Sequence, residues 1–368
     1  MVKTQGAFHI PSLDGVRAVA VLVVFVGHGY VAPEAWPGHV GVSIFFFLSG
    51  YLITTLLRRE YDRTGRIRLG RFYQRRLLRI TPPALIAISV CVVVGLAGLL
   101  PSTTTGWGVL AEVFNYTNYY LVATGGRGGL PPESSMLWSL AVEEHFYLVF
   151  PALLIVFLWR RLSYRQIGYI LLAAAAAAPV WRLVLHFVFD ASFFRLYVST
   201  DTRFDGLLVG AAMALLWNPV FGDRTPLRLS EGMLTKTVAP LALIIFAGSA
   251  LASENWRLTV VDSVQYACLI PIFWFIVTRP DSIIGRVLNS RVVSHIGALS
   301  FSIYLVHKVA LALVAKSFDS APLIDVGALV VSILAAQVIY ELVEQPLGKV
   351  RRRLEGSRQP SAAVDTAL

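Results

Sequence analysis

Residues 12–28 read SLDGVRAVAVLVVFVGH, an apolar run that contains Arg17 and ends on His28. A run of this kind is the beginning of a membrane span, which needs about 20 mostly apolar residues. Ionisable residues within a span are costly, and they usually face the interior of a helix bundle or a water-filled cavity. The stretch therefore predicts a membrane helix that presents Arg17 and His28 to a cavity.

The composition of the whole chain also indicates a membrane protein. Of its 368 residues, 56% are hydrophobic and only 15% are charged, whereas about a quarter of a soluble domain is charged. The net charge is +10, but the basic residues lie between the apolar segments instead of on one soluble face. Nucleic acid is therefore not expected as a partner. Cys91 and Cys268 both lie in apolar runs. With no His/Cys cluster, we expect neither a disulfide framework nor a metal site.

Apolar stretches of spanning length recur from one end of the chain to the other. They predict an all-α polytopic membrane protein with about ten transmembrane helices. One further stretch, 109–124, is shorter and more polar, and it is predicted as a re-entrant or interfacial helix on the outer side. The ten predicted spans are 12–31, 40–57, 80–100, 137–158, 167–188, 203–218, 237–253, 260–278, 299–316 and 324–347.

The positions of Lys and Arg decide between ten and eleven spans. With ten spans and both termini in the cytoplasm, the inner segments hold 24 of the 32 Lys and Arg residues, as the positive-inside rule requires. With eleven spans, the basic segments at 159–166 and 349–358 would face outward. We therefore predict a transmembrane domain over 1–348, followed by a short basic cytoplasmic tail over 349–368.

The predicted topology assigns depths to the ionisable residues. Arg17 and His28 are eleven residues apart, which is three helical turns to within about 20°, so they face the same way. Glu143 and Glu144 lie about 9 Å below the outer end of span 4, close to the predicted depth of His28. Other ionisable residues in the spans are Arg203 and Asp205 at the outer end of span 6, and His307 in span 9.

These residue types predict a particular chemistry. A neutral imidazole can take a proton from an alcohol, and an adjacent carboxylate can orient the imidazole; attack of a hydroxyl on a thioester or ester requires both. On the inner side, Arg75, Arg76 and Arg79 precede span 3, and guanidinium groups bind phosphates such as those of an acyl-CoA. The residues thus predict a phosphate-binding inner mouth, a polar path, and an acid/base pair near the outer mouth.

Each of these residues also has a purely structural interpretation. His307 can be a packed histidine, Arg17 can extend to the interface, and the arginines of 58–79 can simply set the topology. A transporter would also contain buried ionisable residues, but it should show internal repeats, and the sequence shows no such symmetry. A non-catalytic scaffold would not need His28 and two carboxylates at one depth.

The order of motifs along nearly the whole chain resembles the acyltransferase-3 family of integral-membrane O-acyltransferases. The opening segment matches the family signature in which a basic residue precedes a histidine by eleven positions, here Arg17 and His28. Any one motif would be weak, but seven in order are specific. The other matching segments are GVSIFFFLSGYLITTLL (41–57), Glu60 through FYQRRLLRITP (72–82), LWSLAVEEHFYLVFP (137–151), TRFDGLLVG (202–210), LSFSIYLVHK (299–308) and YELVEQP (340–346).

The resemblance implies that the chain moves an acyl group, acetyl or another short acyl, from acyl-CoA to a hydroxyl of a sugar in a surface polysaccharide or glycan. The sugar of a secreted natural product such as a macrolide is the alternative acceptor. The implied partners are acyl-CoA as co-substrate, a carbohydrate or glycosylated acceptor, and the lipid bilayer of a bacterial plasma or inner membrane. No permanently bound cofactor is implied.

The resemblance also implies roles for individual residues. His28 would be the base or a transient acyl carrier, oriented by Glu143 or Glu144, and Arg17 would steady the donor or a developing negative charge. The phosphates of the donor would be held by Arg75, Arg76 and Arg79. Residues expected to bind substrate or to support the site are Ser49, Trp138, Ser139, Arg203, Asp205, Tyr304 and His307.

The sequence departs from the family pattern at two positions. Residue 43 is serine where many members carry aspartate, so a carboxylate is expected to be missing at that depth. Residue 136 is methionine where a histidine is common. Both departures bear on acceptor specificity. Some members also carry a C-terminal hydrolase-like domain, which we do not expect here because the sequence ends shortly after its last span.

Overall fold

The computed structural model describes residues 10, 12–31, 38–226 and 229–356, with side chains as far as residue 350. Across these residues the chain is helical, and no β-strand occurs among them. A helix satisfies its own backbone hydrogen bonds, which a chain surrounded by hydrocarbon must do. The predicted all-α fold class is therefore confirmed.

Nine helices make up the first part of the chain, counted over the described residues. A short 3₁₀ turn, Ser135–Leu137, leads directly into the sixth. The nine are α1 (Leu13–His28), α2 (His39–Thr64), α3 (Leu69–Leu96), α4 (Gly106–Val113), α5 (Thr117–Thr124), α6 (Trp138–Trp159), α7 (Tyr164–Phe187), α8 (Phe193–Val198) and α9 (Thr200–Arg203).

Nine further helices follow in the described part of the chain. The π-helical turns Leu234–Val238, Arg257–Val261 and Tyr340–Glu344 each join two of them into one continuous stretch. The nine are α10 (Asp205–Leu216), α11 (Glu231–Met233), α12 (Ala239–Ser249), α13 (Glu254–Trp256), α14 (Asp262–Thr278), α15 (Ile283–Leu288), α16 (Arg291–Val314), α17 (Ala321–Ile339) and α18 (Gln345–Gly356).

Ten helical stretches overlap the ten predicted spans, but they differ in length. Eight are long and apolar enough to cross a membrane. The other two are α1, with 16 residues, and the apolar stretch Asp205–Phe221, which begins with α10. By length alone, eight of the ten predicted crossings are thus supported.

The polar stretch 109–124 does not form one long helix. It is divided between α4 and α5, and the chain breaks at Asn115, whose φ is +56°. Each of the two helices has eight residues, about 12 Å of length, and a hydrocarbon core is about 30 Å thick. Neither can cross a membrane by itself, which agrees with the prediction that 109–124 is not a span.

The predicted tail over 349–368 begins inside a helix, since α18 runs to Gly356. The rest of that predicted segment, 357–368, lies outside the described residues. The boundary placed after residue 348 therefore stays a prediction.

Glycines allow α2 and α10 to pack at very short range. A Cβ atom on Gly50 would lie 1.9 Å from the carbonyl oxygen of Leu207, and one on Gly210 would lie 2.0 Å from that of Phe47. Small residues at such contacts let membrane helices approach closely, which drives their association in lipid. The α2–α10 pair, together with α1 packed against α16, forms the frame that positions the candidate site.

A buried carboxyl group lies in the layer formed by α4, α5 and the following loop. Glu112 is 3% exposed, and one of its oxygens contacts the hydroxyl of Ser134. That hydroxyl also lies 2.6 Å from the carbonyl oxygen of Pro131. The Ser134 hydroxyl is the donor in both contacts, so its single proton is shared between Glu112 and Pro131. Burial raises the pKa of Glu112 to about 8, although its contact with Ser134 lowers it.

We expect this carboxyl to make stability depend on pH. The unfolded chain releases the proton near pH 4.5 and the folded chain near pH 8. The stabilisation is therefore complete below about pH 4.5 and is lost as the pH rises toward 8. Glu112→Gln should flatten the pH dependence of the melting temperature across this window. Glu254→Gln, at an exposed position, should leave it as in the wild type. An equal pH dependence of the melting temperature in the wild type and in Glu112→Gln would contradict the raised pKa of Glu112.

Candidate active site

Three cavities follow one another through the bundle. The inner cavity, of about 490 Å³, is lined by Asp14, Arg17, Arg79 and Lys349 among others. The central cavity, of about 100 Å³, shares Arg17, Arg79, Ser300 and Phe301 with it. The outer cavity, of about 320 Å³, shares Val42 and Tyr304 with the central one. The cavities thus form a row with common walls.

The two ends of this row agree with the predicted topology. The inner cavity is lined by the start of α1 and by α18, both of which were predicted to lie on the cytoplasmic side. The outer cavity is lined by the end of α1, by α8 and by the turn that precedes α6, all predicted to lie outside. Helix ends that were predicted to lie on the same side of the membrane therefore line the same cavity.

The central cavity combines arginines with one carboxylate. Arg17, Arg76, Arg79 and Glu143 all line it. The guanidinium of Arg76 lies 4.5 Å from the ring centre of Tyr147, and the hydroxyl of Tyr147 donates a 2.8 Å hydrogen bond to Glu143. Guanidinium groups placed in this way can bind a phosphate or the carbonyl of an amide. Two of the predicted supporting residues, Ser49 and Ser139, also line this cavity.

Tyr304 separates the central cavity from the outer one. Its hydroxyl lies 2.8 Å from the carbonyl oxygen of Met136, to which it donates. It also lies 2.7 Å from the hydroxyl of Ser139, which therefore donates to it. The ring is held across the row of cavities by two hydrogen bonds from different elements. Tyr304 therefore lies, together with Val42, at the boundary between the central and outer cavities.

His28 lines the outer cavity and contacts a second histidine, His307. His28 Nδ1 lies 2.9 Å from the carbonyl oxygen of Val24 and 3.2 Å from Nε2 of His307. His307 is fully buried, and its own Nδ1 lies 2.6 Å from the carbonyl oxygen of Tyr304. The two imidazoles therefore form a chain that starts at a backbone carbonyl.

The hydrogen-bond chain assigns the tautomer of both rings. A carbonyl oxygen can only accept, so Nδ1 of His307 carries the proton and its Nε2 accepts. Nδ1 of His28 must then be the donor to His307 and Val24, which leaves Nε2 of His28 as the nitrogen with the free lone pair. An imidazole held in this form is ready to accept a proton from a hydroxyl in the outer cavity.

The structure does not bring Glu143 to His28: Glu143 accepts from Tyr147, whereas Nδ1 of His28 contacts Val24 and His307. Ser139, one turn above Glu143 on α6, lies beside Tyr304, and His307 lies one turn above Tyr304 on α16. Glu143 and His28 are therefore about two helical turns, or 11 Å, apart in depth. The predicted depth of Glu143 was counted from the outer end of span 4 at residue 137. In the structure, Glu133 lies beyond that end and pairs with Lys308, the residue after His307, at 3.0 Å.

Two other predicted residues lie outside the cavities. Arg75 faces Glu60, with 3.6 Å between the charged groups, and it is not among the residues that line a cavity. Glu144, next to Glu143, points away from the cavities, and one of its oxygens is buried without a hydrogen-bond partner among the described residues. Trp138 does line the outer cavity, as expected of a substrate-binding residue.

Arg203 and Asp205 belong to two buried ion pairs instead of lining a cavity. Asp205 pairs with Arg182 at 2.9 Å, and Arg203 pairs with Asp262. The guanidinium of Arg203 also lies 5.7 Å from the ring centre of Trp138, whose other surface belongs to the outer cavity. The Arg203–Asp262 pair therefore packs behind Trp138, which forms part of the wall of the outer cavity.

Asp262 is the residue that the sequence interpretation missed. Ser43 donates a 3.4 Å hydrogen bond to Asp262, so the carboxylate expected to be missing at residue 43 is supplied by α14. An aspartate at the start of an apolar span was the available signal, and the sequence analysis did not use it. Met136, the other departure, lines the outer cavity.

Comparison with known proteins places the chain in a family. A family model described as an acyltransferase domain matches residues 10–341. O-acetyltransferase OatA of Staphylococcus aureus strain NCTC 8325 / PS 47 is 30% identical over 367 residues, 94% of this chain and 58% of that protein. A protein of strain COL with a provisional O-acetyltransferase name is 30% identical over 362 residues, 93% of this chain and 58% of its own length.

The chain belongs to the acyltransferase-3 family, because the family model covers most of its length. The resemblance inferred from the sequence motifs is therefore confirmed. The chain spans 58% of the length of these staphylococcal relatives. No solved structure gave a match.

Proposed function

We propose that this chain is a membrane O-acyltransferase that moves a short acyl group from acyl-CoA, bound at the inner cavity, to a sugar hydroxyl held in the outer cavity. The observation that carries the proposal is the row of three cavities with common walls. Arginines lie at its inner end, and a histidine with a free Nε2 lies at its outer end. The O-acetyltransferase names of the relatives agree with this reaction.

The inner and central cavities suit the donor. Arg79 and Arg17 line both, and Lys349 adds a further cation at the inner mouth. Guanidinium groups bind phosphate oxygens through paired hydrogen bonds, so the phosphates of CoA would lie here. The thiol arm would extend through the central cavity toward Tyr304.

The proposed reaction uses the tautomer of His28. Nε2 of His28 accepts the proton of the acceptor hydroxyl as its oxygen attacks the carbonyl carbon of the thioester. The new carbon–oxygen bond forms, the carbon–sulfur bond breaks, and the CoA thiolate leaves with the proton that His28 releases. His307 keeps Nδ1 of His28 engaged throughout, because its Nε2 accepts from that nitrogen. Arg17, three helical turns away on the same side of α1, would help to bind the donor, since it lines the inner and central cavities.

Substitution of the arginines tests where the donor binds. Arg76→Gln or Arg79→Gln should raise the KM for acyl-CoA about tenfold or more, since a charge-assisted hydrogen bond contributes about 1.5–3 kcal/mol. The KM for the acceptor should change little. Transfer from radiolabelled acyl-CoA by the purified chain in detergent gives both constants.

Arg75→Gln is the matched control. It removes the same charge from the same helix, but Arg75 faces Glu60 outside the cavities. Its KM for acyl-CoA should stay within about twofold of the wild type. Equal effects at residues 75, 76 and 79 would mean that these arginines only set the topology and that the donor binds elsewhere.

A further inference from the structure

The outer cavity is cationic. Among the described residues that line it, Arg257 and Lys308 carry positive charge, and none is an aspartate or glutamate. Lys308 is neutralised by Glu133 at 3.0 Å. Arg257 is half-buried and makes no ion pair with any described residue. One guanidinium in this cavity is therefore left without an anionic partner among the described residues.

A second polar group in the same cavity also lacks a partner. Nε2 of His39 is buried and makes no hydrogen bond within the described part of the chain, and His39 lines the outer cavity. A buried polar atom without a partner is costly and needs an explanation. A ligand oxygen in the cavity would supply the partner that the protein does not.

The remaining walls are aromatic. Phe193, Phe194, Tyr197 and Trp138 all line the outer cavity, and the rings of Phe193 and Tyr197 are stacked with centres 5.1 Å apart. Apolar and aromatic walls with a few placed polar groups are typical of sites for organic ligands. The C–H face of a sugar ring can pack on such walls while its polar substituents interact with Arg257 and His39.

We infer that the acceptor is an anionic sugar, whose carboxylate or phosphate is bound by Arg257 in the outer cavity beside the hydroxyl that His28 deprotonates. This inference rests on the proposed function and adds the chemical class of the acceptor. A neutral acceptor would remove water from the Arg257 guanidinium without replacing it by an anion, which is unfavourable. An anionic group instead forms charge-assisted hydrogen bonds with the planar guanidinium.

Binding without turnover tests the inference. The full chain in lipid nanodiscs is titrated calorimetrically with three probes: a tetrasaccharide of glucuronic acid, the same tetrasaccharide with its carboxyl groups reduced to alcohols, and a 6-phosphorylated glucose tetrasaccharide. At least one anionic probe should bind about tenfold or more tightly than the reduced probe. Which anionic probe binds more tightly distinguishes a carboxylate from a phosphate.

Variants assign the preference to one residue. Arg257→Gln should abolish the difference between anionic and reduced probes, and Arg257→Lys should keep part of it, which excludes misfolding as the cause. Arg127→Gln is the control, because it removes an exposed positive charge from the same side without altering the lining of the cavity. Equal affinity for all three probes, or no binding of either anionic probe at millimolar concentration, would overturn the inference.

The proposed function has its own readout in the same preparation, which is the His28-dependent turnover of acyl-CoA. Turnover without anion preference would reject only the acceptor class. Anion preference without turnover would reject the transferase proposal on which the acceptor class rests.

Discussion

Replacing His28 by alanine is expected to lower acyl transfer by about 10²–10⁴-fold, the usual contribution of a general base. Nε2 of His28 is the one imidazole nitrogen of the His28–His307 pair that is free to accept a proton in the outer cavity. The KM for acyl-CoA should stay near the wild-type value, since the donor phosphates would be bound two cavities away. The measurement is steady-state transfer from radiolabelled acyl-CoA. Near-normal activity of His28→Ala would show that His28 does not act as the base.

The contact between His28 and His307 allows a second test, in which two substitutions of His307 should lower activity to different extents. His307→Leu removes the acceptor for Nδ1 of His28 and should lower kcat by up to about 10²-fold through misplacement of the base. His307→Gln keeps an acceptor atom and should recover part of the loss. His295→Ala is the control, because His295 lies on the same helix but bonds Gln337 outside the cavities. A loss in His307→Leu that His307→Gln does not reduce would indicate a packing role only.

Breaking the ion pair between Arg203 and Asp262 is expected to cost about 3–5 kcal/mol of unfolding free energy. Both side chains are only 2% exposed, so Asp262→Ala leaves a buried guanidinium without its counter-charge. Titration with a denaturing detergent gives the free energy. The double variant Arg203→Leu/Asp262→Leu should recover most of the loss, because two apolar side chains replace two buried charges.

A second ion pair on the same side serves as the control for the first. Arg195 and Asp201 form an ion pair at 2.5 Å, but their side chains are 27% and 40% exposed. Asp201→Ala should therefore cost no more than about 1 kcal/mol. If both single substitutions cost the same, burial would not be what makes the Arg203–Asp262 pair important.

The helices could be predicted from the sequence because apolar length is a local property. Each of the ten predicted spans overlaps a helical stretch, and Arg79 and Lys349, which were predicted to lie on one side, line the same cavity. The three-turn spacing of Arg17 and His28 also held, since both residues line the same row of cavities. These predictions needed only the helical repeat and the cost of burying charge.

The partners of the site residues could not be predicted in the same way. The depth of Glu143 relative to His28 follows from the contact of Ser139 with Tyr304, which lie 165 residues apart in the sequence. The contact of Asp262 with Ser43 spans 219 residues, and no periodicity encodes it. Arg75 and Arg76 are neighbours in one motif, yet only Arg76 lines the central cavity, because side chains one residue apart point about 100° apart on a helix.

The closed position of Tyr304 has a consequence for the cell. A continuous water-filled passage between cytoplasm and exterior would conduct protons and small ions and would dissipate the membrane potential. Tyr304 interrupts that passage where its hydroxyl is held by Ser139 and Met136. Under the proposed function, the thioester arm of the donor would displace the ring of Tyr304 and fill the space that the ring leaves. The proposed transfer across an energised bilayer would then open no passage for ions.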